Sequence, residues 1–243
     1  LASGASPSRS QSSRIRRLSF RLLAGWLLVV QPAVAAGWVQ DAGNLFARTS
    51  LALEDHGPFS ANRSDLYAEY GMTDDWTLAG KFETVDFETS NAFDADGYRL
   101  QLRRALWRGD FWSTTAAVGV VEGAAIGGRL GCESRGGEIE LGVGHSGQLG
   151  EDTYFAGLTL GHRSHESNCQ TNRLEFVMGV SDVDGFNYTT QYWSERGDNG
   201  NSDKVEFMIS RNLGAFEAGF ATRYEIGGEF EEQAYVFSLA FRH

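Results

Sequence analysis

Alternation of large apolar side chains with polar or small ones recurs along the chain after residue 43, and it constrains the fold more than any other feature. In the segment "GEIELGV" (137–143), Ile139 and Leu141 alternate with Glu138 and Glu140. A period of two places successive side chains on opposite faces of a β-strand, whereas an amphipathic helix repeats its apolar residues every three or four positions. The sequence therefore predicts an all-β fold whose strands have one apolar and one polar face.

The alternating segments define about twelve strands, each bounded by turn-forming Gly, Asp or Asn residues. The predicted strands are 44–54, 64–71, 76–85, 97–106, 110–121, 137–145, 153–162, 173–181, 186–193, 204–210, 216–226 and 233–243. Even-numbered strands end mostly in tight turns, such as 72–75 and 212–215. Odd-numbered strands end in longer polar loops, which are 55–63, 87–96, 122–136, 163–172, 195–203 and 227–232. An even strand count with alternating short turns and long loops is typical of an antiparallel up-and-down barrel that spans an outer membrane.

The two strand faces separate this barrel from a secreted β-sandwich or a soluble barrel, which also alternate. The predicted apolar face carries aromatic residues at strand ends, as outer-membrane barrels do at the two lipid interfaces. These residues are Trp76, Tyr98, Tyr154, Phe186, Tyr188, Tyr192, Tyr224 and Tyr235. The opposite face is rich in Gly and charge, which suits a wet interior. One residue fits poorly: Arg104 falls on the apolar face, so it either extends its charge to the interface or follows a bulge that resets the register.

The last ten residues, "AYVFSLAFRH", form a strand that continues almost to the final residue. We predict that one face of this strand contacts lipid and that the strand pairs with the first strand, which closes the sheet and leaves no unpaired edge. The lipid-facing residues would be Tyr235, Phe237, Leu239 and Phe241.

Residues 1–36 differ in composition from the rest and resemble an export signal. They contain five arginines and no acidic residue, followed by the apolar run "LLAGWLLVV" and the small residues of "QPAVAAG". An apolar run this short does not span a bilayer as a helix, which needs about 20 residues. We therefore interpret residues 1–36 as an over-long start followed by a cleaved Sec signal peptide, with cleavage after Ala35 or Ala36, and residues 37–243 as the barrel.

Charge excludes nucleic acid as a partner. Formal net charge is −11 over 243 residues, and the arginine-rich head leaves 16 basic against 32 acidic side chains in the remainder. Binding to phosphate backbones requires basic surfaces, which this composition does not supply.

The predicted inner face collects charges of both signs. It includes Glu54 and Glu225 near strand ends, and a central set of lumen-lining charges: Arg48, Glu69, Lys81, Glu83, Arg99, Arg103, Glu138, Glu140, Glu175, Glu206, Glu217 and Arg223. The acids outnumber the bases, so an open lumen would favour cations. Alternatively, the charges pair across a narrow lumen and close it, and a barrel of about twelve strands lies between self-filled and open barrels.

Cys132 and Cys169 are the two cysteines of the chain. Export makes a disulfide plausible, and a hairpin that turns near residue 148 would bring position 132 opposite residues 164–169. A disulfide that joins two loops is the expectation, with two separate thiols as the alternative.

Two stretches resemble a known family. "GWVQDAG" (37–43) and "DLYAEYGMTDDWTLAG" (65–80) are similar to Gram-negative outer-membrane barrels of the XagA-like, or adhesin-like, family. Trp38, Gln40 and Gly43 match that family's Trp-x-Gln-x-x-Gly pattern at the start of the mature chain. The resemblance implies an outer-membrane location and a barrel fold, and it implies no catalytic residue because the family has no defined activity.

Resemblance to outer-membrane proteins also implies that the C-terminal strand is the signal read by the barrel-assembly machinery. Such strands usually end in an aromatic residue, whereas this chain ends Phe241-Arg242-His243.

One segment offers residues for hydrolysis. In "GHRSHESNCQTNRLE" (161–175), His165, Ser167 and Asn168, with Glu175 on the next strand, resemble the His-x-Ser-Asn and Glu arrangement of outer-membrane lipid A deacylases. A His–Ser pair oriented by a carboxylate is a nucleophile–base set. A solvated polar loop is the competing interpretation, and no surrounding residue supports the deacylase.

No metal or other cofactor is predicted. His162 and His165 are three residues apart on one strand, so they would point to opposite faces. The acidic loops lack the spacing of a calcium-binding loop.

The sequence therefore predicts a monomeric, non-enzymatic, twelve-stranded barrel in the outer membrane of a Gram-negative bacterium. The leading hypothesis is a narrow channel or transport-type barrel with a mixed-charge, net acidic lumen. The alternatives are a surface structural or adhesin-like barrel that acts through its loops, and a hydrolase that uses His165 and Ser167. Membrane lipid, lipopolysaccharide and the assembly machinery are the expected partners.

Overall fold

The computed structural model describes residues 37–88, 91–125, 132–228 and 231–243, so the predicted signal segment 1–36 lies outside the described residues. The described chain forms twelve β-strands and one short 3-10 helix, Asn91–Phe93. The strands are β1 Leu45–Asp55, β2 Ser60–Thr73, β3 Trp76–Phe87, β4 Ala95–Arg108, β5 Trp112–Glu122, β6 Gly136–Leu149, β7 Asp152–His165, β8 Gln170–Ser181, β9 Phe186–Gly197, β10 Gly200–Leu213, β11 Phe216–Gly228 and β12 Gln233–Arg242.

Each strand pairs antiparallel with its neighbours in sequence, and β12 pairs with β1 to close the barrel. In the closing pair, Ala47 lies opposite Phe241 and Leu53 opposite Tyr235. Closure pairs the backbone groups of every strand, which a structure surrounded by hydrocarbon requires. The predicted fold class, an antiparallel up-and-down barrel of twelve strands, is confirmed.

The burial pattern is the reverse of that of a water-soluble protein. On β6, Leu141 on the outer face is 60% exposed, whereas the adjacent Glu140 on the inner face is 6% exposed. The same alternation places Leu51 and Leu53 of β1 outside and Glu54 inside. An apolar exterior around a polar interior is the arrangement that a bilayer as solvent favours.

We call the two ends of the barrel the turn end and the loop end. The turn end carries the connections 74–75, 109–111, 150–151, 182–185 and 214–215, together with the start of β1 and the end of β12. The loop end carries the connections 56–59, 88–94, 123–135, 166–169, 198–199 and 229–232.

The difference in length between the turns and the loops is smaller than predicted. The loop predicted at 195–203 is a two-residue connection, 198–199, because β9 and β10 continue their ladder to Gly197 and Gly200. The loops predicted at 55–63 and 163–172 are shorter in the structure for the same reason. Backbone pairing continues beyond the apolar band, where both strand faces are polar and the alternation of hydrophobicity disappears.

On β12, the side chains of Tyr235, Phe237 and Leu239 are about half exposed on the outer face, and Phe241 follows on the same face. The ladder continues to the final residue, since the backbone N–H groups of Leu45 and His243 each donate to the other's carbonyl at 3.0 and 2.9 Å.

Arg104 stays on the outer face, and the register shift of β4 occurs after it, between Ala105 and Trp107. Its guanidinium lies 5.2 Å from the centre of the Trp76 ring, directly across the β3–β4 pair. A cation over an aromatic ring near a strand end is compatible with a membrane interface. The part of the chain that the structure describes contains no helix long and apolar enough to cross a membrane.

Candidate functional site

The barrel interior is the candidate functional site because the chain concentrates its charged side chains there. All twelve predicted lumen-lining charges lie at inward-facing positions of their strands: Arg48, Glu69, Lys81, Glu83, Arg99, Arg103, Glu138, Glu140, Glu175, Glu206, Glu217 and Arg223. Glu54 and Glu225 share the inner face at the loop end.

A central network of ion pairs joins β4 to β9. The Arg99 guanidinium lies 3.4 Å from the Glu138 carboxylate and 3.5 Å from Glu140, and Arg163 contacts the other Glu138 oxygen at 2.8 Å. Arg173 lies 2.6 Å from Glu175. These residues are almost fully enclosed by the barrel, so each charge has an opposite charge in place of bulk water.

A second network lies at the loop end, around Glu54. Arg63 contacts Glu54 at 2.5 Å and Glu83 at 3.7 Å, and Arg223 of β11 contacts Glu54 at 3.7 Å. Glu232, the residue before β12, joins the same network and is 1% exposed, so its side chain lies inside the mouth of the barrel.

The charge of Glu232 is held by its neighbours. Burial by itself raises the pKa of the Glu232 carboxyl, but the charges of Lys204, Arg223 and Arg63 outweigh burial and keep that pKa below its ordinary value. Lys204 forms a direct ion pair with Glu232. The β11–β12 connection is therefore anchored inside the mouth by an ionised carboxylate.

The same region brings Glu54, His56 and Glu232 together, with one potential ligand atom of each within 4.8 Å of the others. His56 Nε2 lies 3.3 Å from Glu54 Oε2. The two carboxylates, however, already balance three cations: Arg63, Arg223 and Lys204. A divalent ion here would meet those positive charges, so we interpret the group as part of the ion-pair network.

Apolar side chains cover the other half of the loop-end mouth. Ala61, Val85, Phe87 and Ala125 form a buried cluster, with Phe59 packed against it. Phe93, from the short helix of the β3–β4 connection, lies with its ring 5.9 Å from that of Phe87. At this end, described residues of the connections therefore pack against inward-facing side chains of β2 and β3.

Cys132 and Cys169 form a disulfide that joins the β5–β6 connection to the β7–β8 connection, with Cα atoms 6.0 Å apart. His165 and Ser167 reinforce the same junction. His165 Nδ1 lies 2.5 Å from the Ser134 carbonyl oxygen, and the Ser167 and Ser134 hydroxyls are 2.8 Å apart.

The suggested hydrolytic set is not assembled. Glu175 faces the central interior, paired with Arg173 and hydrogen-bonded by Gln191. It lies opposite Thr159 on β7, six residues from His165, which corresponds to about 20 Å along the strand. His165 and Ser167 each contact Ser134 rather than each other. These contacts make the two residues part of a loop junction.

The turn end is filled by residues that precede β1. The segment Gly37–Ala42, which we call the N-terminal segment, extends into the barrel along the inner face of β2 to β7. Trp38 meets Phe155 edge to face with ring centres 6.4 Å apart, and the Trp38 carbonyl accepts a hydrogen bond from Arg103 at 3.3 Å. Val39 is buried.

Gln40 fixes the middle of the N-terminal segment. Its backbone N–H donates to Thr77 Oγ1 at 2.8 Å, and its side-chain amide donates to Glu69 at 2.7 Å. Glu69 also receives Arg103 at 2.7 Å and the Tyr67 hydroxyl. The buried Glu69 carboxylate thus accepts hydrogen bonds both from the wall of the barrel and from the N-terminal segment.

Glycines on the inner wall provide the space for the N-terminal segment. A Cβ at Gly144 would lie 2.6 Å from the Trp38 ring, and one at Gly142 would lie 2.8 Å from the Gly37 nitrogen. Both distances are below ordinary contact, so a larger residue at either position would displace the segment. Gly43, with φ +81°, makes the turn from the segment into β1, a conformation that glycine adopts without strain.

Arg48 differs from the other inward-facing cations. Among the described residues it has no ion pair, and it is partly exposed within the interior. Its neighbours in register, Tyr67 and Ala240, are uncharged. The barrel therefore holds one cation on its inner face that the described wall does not neutralise.

Sequence reasoning missed several partners in these networks. They are Arg63, Asp65, Arg163, Arg173, Glu195, Lys204, Glu232 and Arg242. Arg63, Arg163, Glu195 and Glu232 fell in predicted loops. The first three would have been found by extending the alternation of inward- and outward-facing residues in β2, β7 and β9 beyond the apolar residues of these strands. Glu232 lies on no strand.

Comparison with known proteins supports the fold without naming a family. No protein-family model matches the sequence, and no curated protein matches it. Among solved structures, the KdgM porin aligns with a TM-score of 0.58 at 7% identity, over 81% of this chain and 98% of the porin. An outer-membrane channel from Pseudomonas putida F1 aligns with a TM-score of 0.54 at 10% identity, over 88% and 100%. LpxR from Salmonella typhimurium aligns with a TM-score of 0.53 at 9% identity, over 81% and 99%. The chain thus has the fold of outer-membrane β-barrel proteins.

Proposed function

We propose that this chain is a narrow, transport-type channel of a Gram-negative outer membrane. The observation that carries the proposal is the interior: inside a closed barrel with an apolar exterior, much of the described wall is lined by charged and polar groups. Such an interior is compatible with water and with small polar solutes.

The orientation follows from general barrel architecture. Outer-membrane barrels place their short turns in the periplasm and their longer loops outside the cell. The turn end, with the N-terminal segment, would then face the periplasm, and the disulfide-linked loop end would face lipopolysaccharide. A closed sheet leaves no strand edge to pair with a second copy, which supports a monomer.

Planar-bilayer recording of the purified, refolded protein tests this function. We expect discrete conductance steps that are small compared with those of wide porins. A protein that inserts, is shown to be folded by its heat-dependent mobility on a detergent gel, and never conducts would contradict the proposal.

A surface role through the loops is the second candidate, and the packed loop end favours it. Glu232, Phe87 and Ala125 are buried where an open channel would have its outer mouth. Under this alternative the barrel is silent in bilayers, and shortening the β5–β6 connection, 123–135, abolishes attachment of cells that display the protein. The predicted loop 195–203 belongs mostly to β9 and β10.

A further inference from the structure

The N-terminal segment is held inside the barrel by bonds that can be released without unfolding the sheet. Its Gly37 and Trp38 carbonyls and its Gln40 N–H bond to side chains, namely those of Ser113, Arg103 and Thr77. Bonds of this kind contribute about 0.5–1.5 kcal/mol each and exchange readily for bonds to water. The segment is therefore a separate element that rests on the wall.

The buried carboxylate that contacts the segment stays paired when the segment is absent. The Glu69 carboxylate keeps Arg103, at 2.7 Å, and the Tyr67 hydroxyl as partners. Gly37 to Gln40 carry no charged side chain, so their departure leaves no buried side-chain charge unpaired. Release of the segment thus costs a limited number of hydrogen bonds and the contact between Trp38 and Phe155.

The segment also covers a large part of the inner wall at the turn end. Its contacts extend over six consecutive strands, through Glu69, Thr77, Arg103, Ser113, Gly144 and Phe155. The remaining side of the turn end is lined by a fixed polar group in which Glu217 receives Arg242 at 2.8 Å and Ser210 at 2.5 Å. The segment lies between that group and the wall of β2 to β7.

A turn at the base of the segment provides a point of rotation. Asn44 N–H donates to the Asp41 carbonyl at 3.0 Å, and Gly43 N–H donates to the Gly71 carbonyl at 2.8 Å. Residues before Asp41 lie beyond these backbone bonds, whereas β1 begins at Leu45 and is fixed by its ladder. Movement of Gly37–Gln40 about this turn would leave β1 in place.

We propose that the N-terminal segment, Gly37–Ala42, is a gate that closes the turn end of the channel and opens by leaving the cradle of Gly142, Gly144, Phe155 and Arg103. This inference rests on the proposed channel function. It assigns to Trp38 and Gln40 the role of holding the gate shut.

Conductance of a truncated protein tests the gate. The variant that lacks residues 37–42 and begins at Gly43 should conduct at least severalfold more than the protein that begins at Gly37. Trp38→Ala should raise the fraction of time spent in the larger state, and Trp112→Ala, a matched truncation on the outer face of the same end, should not. Folding of each variant is checked by heat-dependent gel mobility.

Each result of the conductance test has one meaning. Equal, non-zero conductance of the full and truncated proteins would overturn the gate while leaving the channel intact. Silence of both folded proteins would overturn the channel function itself, and with it the gate.

Chemical labelling gives an independent measurement that does not depend on conduction. The native cysteines are joined in a disulfide, so a cysteine introduced in the segment is the reactive thiol. With a water-soluble thiol reagent, Val39→Cys should react at least tenfold more slowly than Ala42→Cys, because Val39 is buried and Ala42 is exposed. Adding Trp38→Ala should remove most of that difference. Equal rates in the otherwise unmodified protein would show that the segment is not docked.

Discussion

The two ends of this barrel are closed by different means. At the turn end, a segment that carries no buried charge lies on the wall through hydrogen bonds to side chains and a single aromatic contact. At the loop end, the closure consists of wall residues and connections joined by ion pairs around Glu54, an aromatic cluster and a disulfide. Removal of Gly37–Gln40 leaves the buried Glu69 carboxylate paired with Arg103, whereas removal of Arg63 at the loop end takes the nearest cation from the buried Glu54 carboxylate.

The two closures therefore differ in the free energy that is needed to open them. A segment that exchanges a few hydrogen bonds with water moves at low cost. An ion-pair network inside a low-dielectric wall does not, because loss of one partner leaves an uncompensated buried charge. We therefore expect the turn end to control passage and the loop end to control stability, and substitutions at each end test this division.

The largest loss of stability should follow Arg63→Ala. Arg63 is almost fully buried and lies 2.5 Å from Glu54 and 3.7 Å from Glu83, so its removal takes the nearest cation from Glu54 and leaves Glu83 with Lys81. We expect the free energy of unfolding to fall by about 3–5 kcal/mol, measured by urea denaturation in detergent micelles. Arg135→Ala, which breaks the exposed pair with Glu122 at the same end, should cost less than about 1 kcal/mol. Equal losses in both variants would argue against a stabilising network.

The double substitution of Cys132 and Cys169 by Ser should have the next largest effect. The two cysteines are 37 residues apart in sequence, and a disulfide that closes such a loop restricts the unfolded chain by about 2–4 kcal/mol. Unfolding with and without reductant should show the loss in the native protein and no further loss in the variant. Conductance at the turn end should stay unchanged, and a change there would contradict the independence of the two ends.

A smaller effect is expected from deletion of Arg242 and His243. The deletion removes the two backbone bonds between Leu45 and His243 and the ion pair between Arg242 and Glu217, about 1–3 kcal/mol in total. Yield of folded barrel in lipid vesicles is the measurement. Replacement of both residues by Ala keeps the backbone bonds, so a yield closer to that of the native chain would assign the effect to closure of the sheet.

Arg48→Glu should change stability least and ion selectivity most. Arg48 has no ion pair among the described residues, so its removal should cost less than about 0.5 kcal/mol. Reversal of this interior charge should shift the zero-current potential in a salt gradient toward cations. Arg211→Glu, on the outer face at the turn end, is the control. Equal shifts in both variants would exclude Arg48 from control of selectivity, provided that the protein conducts.

Much of the barrel could be predicted from residue alternation. The number of strands and the inward orientation of the twelve lumen charges follow from the period of two, because a strand has only two faces. Strand ends were predicted less well. The ladder of β9 and β10 continues through polar residues to Gly197 and Gly200, where hydrophobicity no longer distinguishes strand from loop.

The partners within the interior could not be predicted from pattern alone. Arg99 contacts Glu138 and Glu140, from a strand two positions away around the barrel, and such contacts depend on register and curvature. The inward-facing glycines Gly142 and Gly144 are the sequence signal of the N-terminal segment. Their role is clear only in the structure, where Trp38 and Gly37 lie against them.

By itself, the sequence determined a closed barrel with an apolar outside and a charged inside, because alternation assigns each residue to one of two faces and the solvent decides which face is which. Only the tertiary structure decided how that inside is filled. Pairing of Arg99 with Glu138 and docking of Gly37–Ala42 against the wall depend on distances between residues far apart in the chain, which register and closure set and local pattern does not encode.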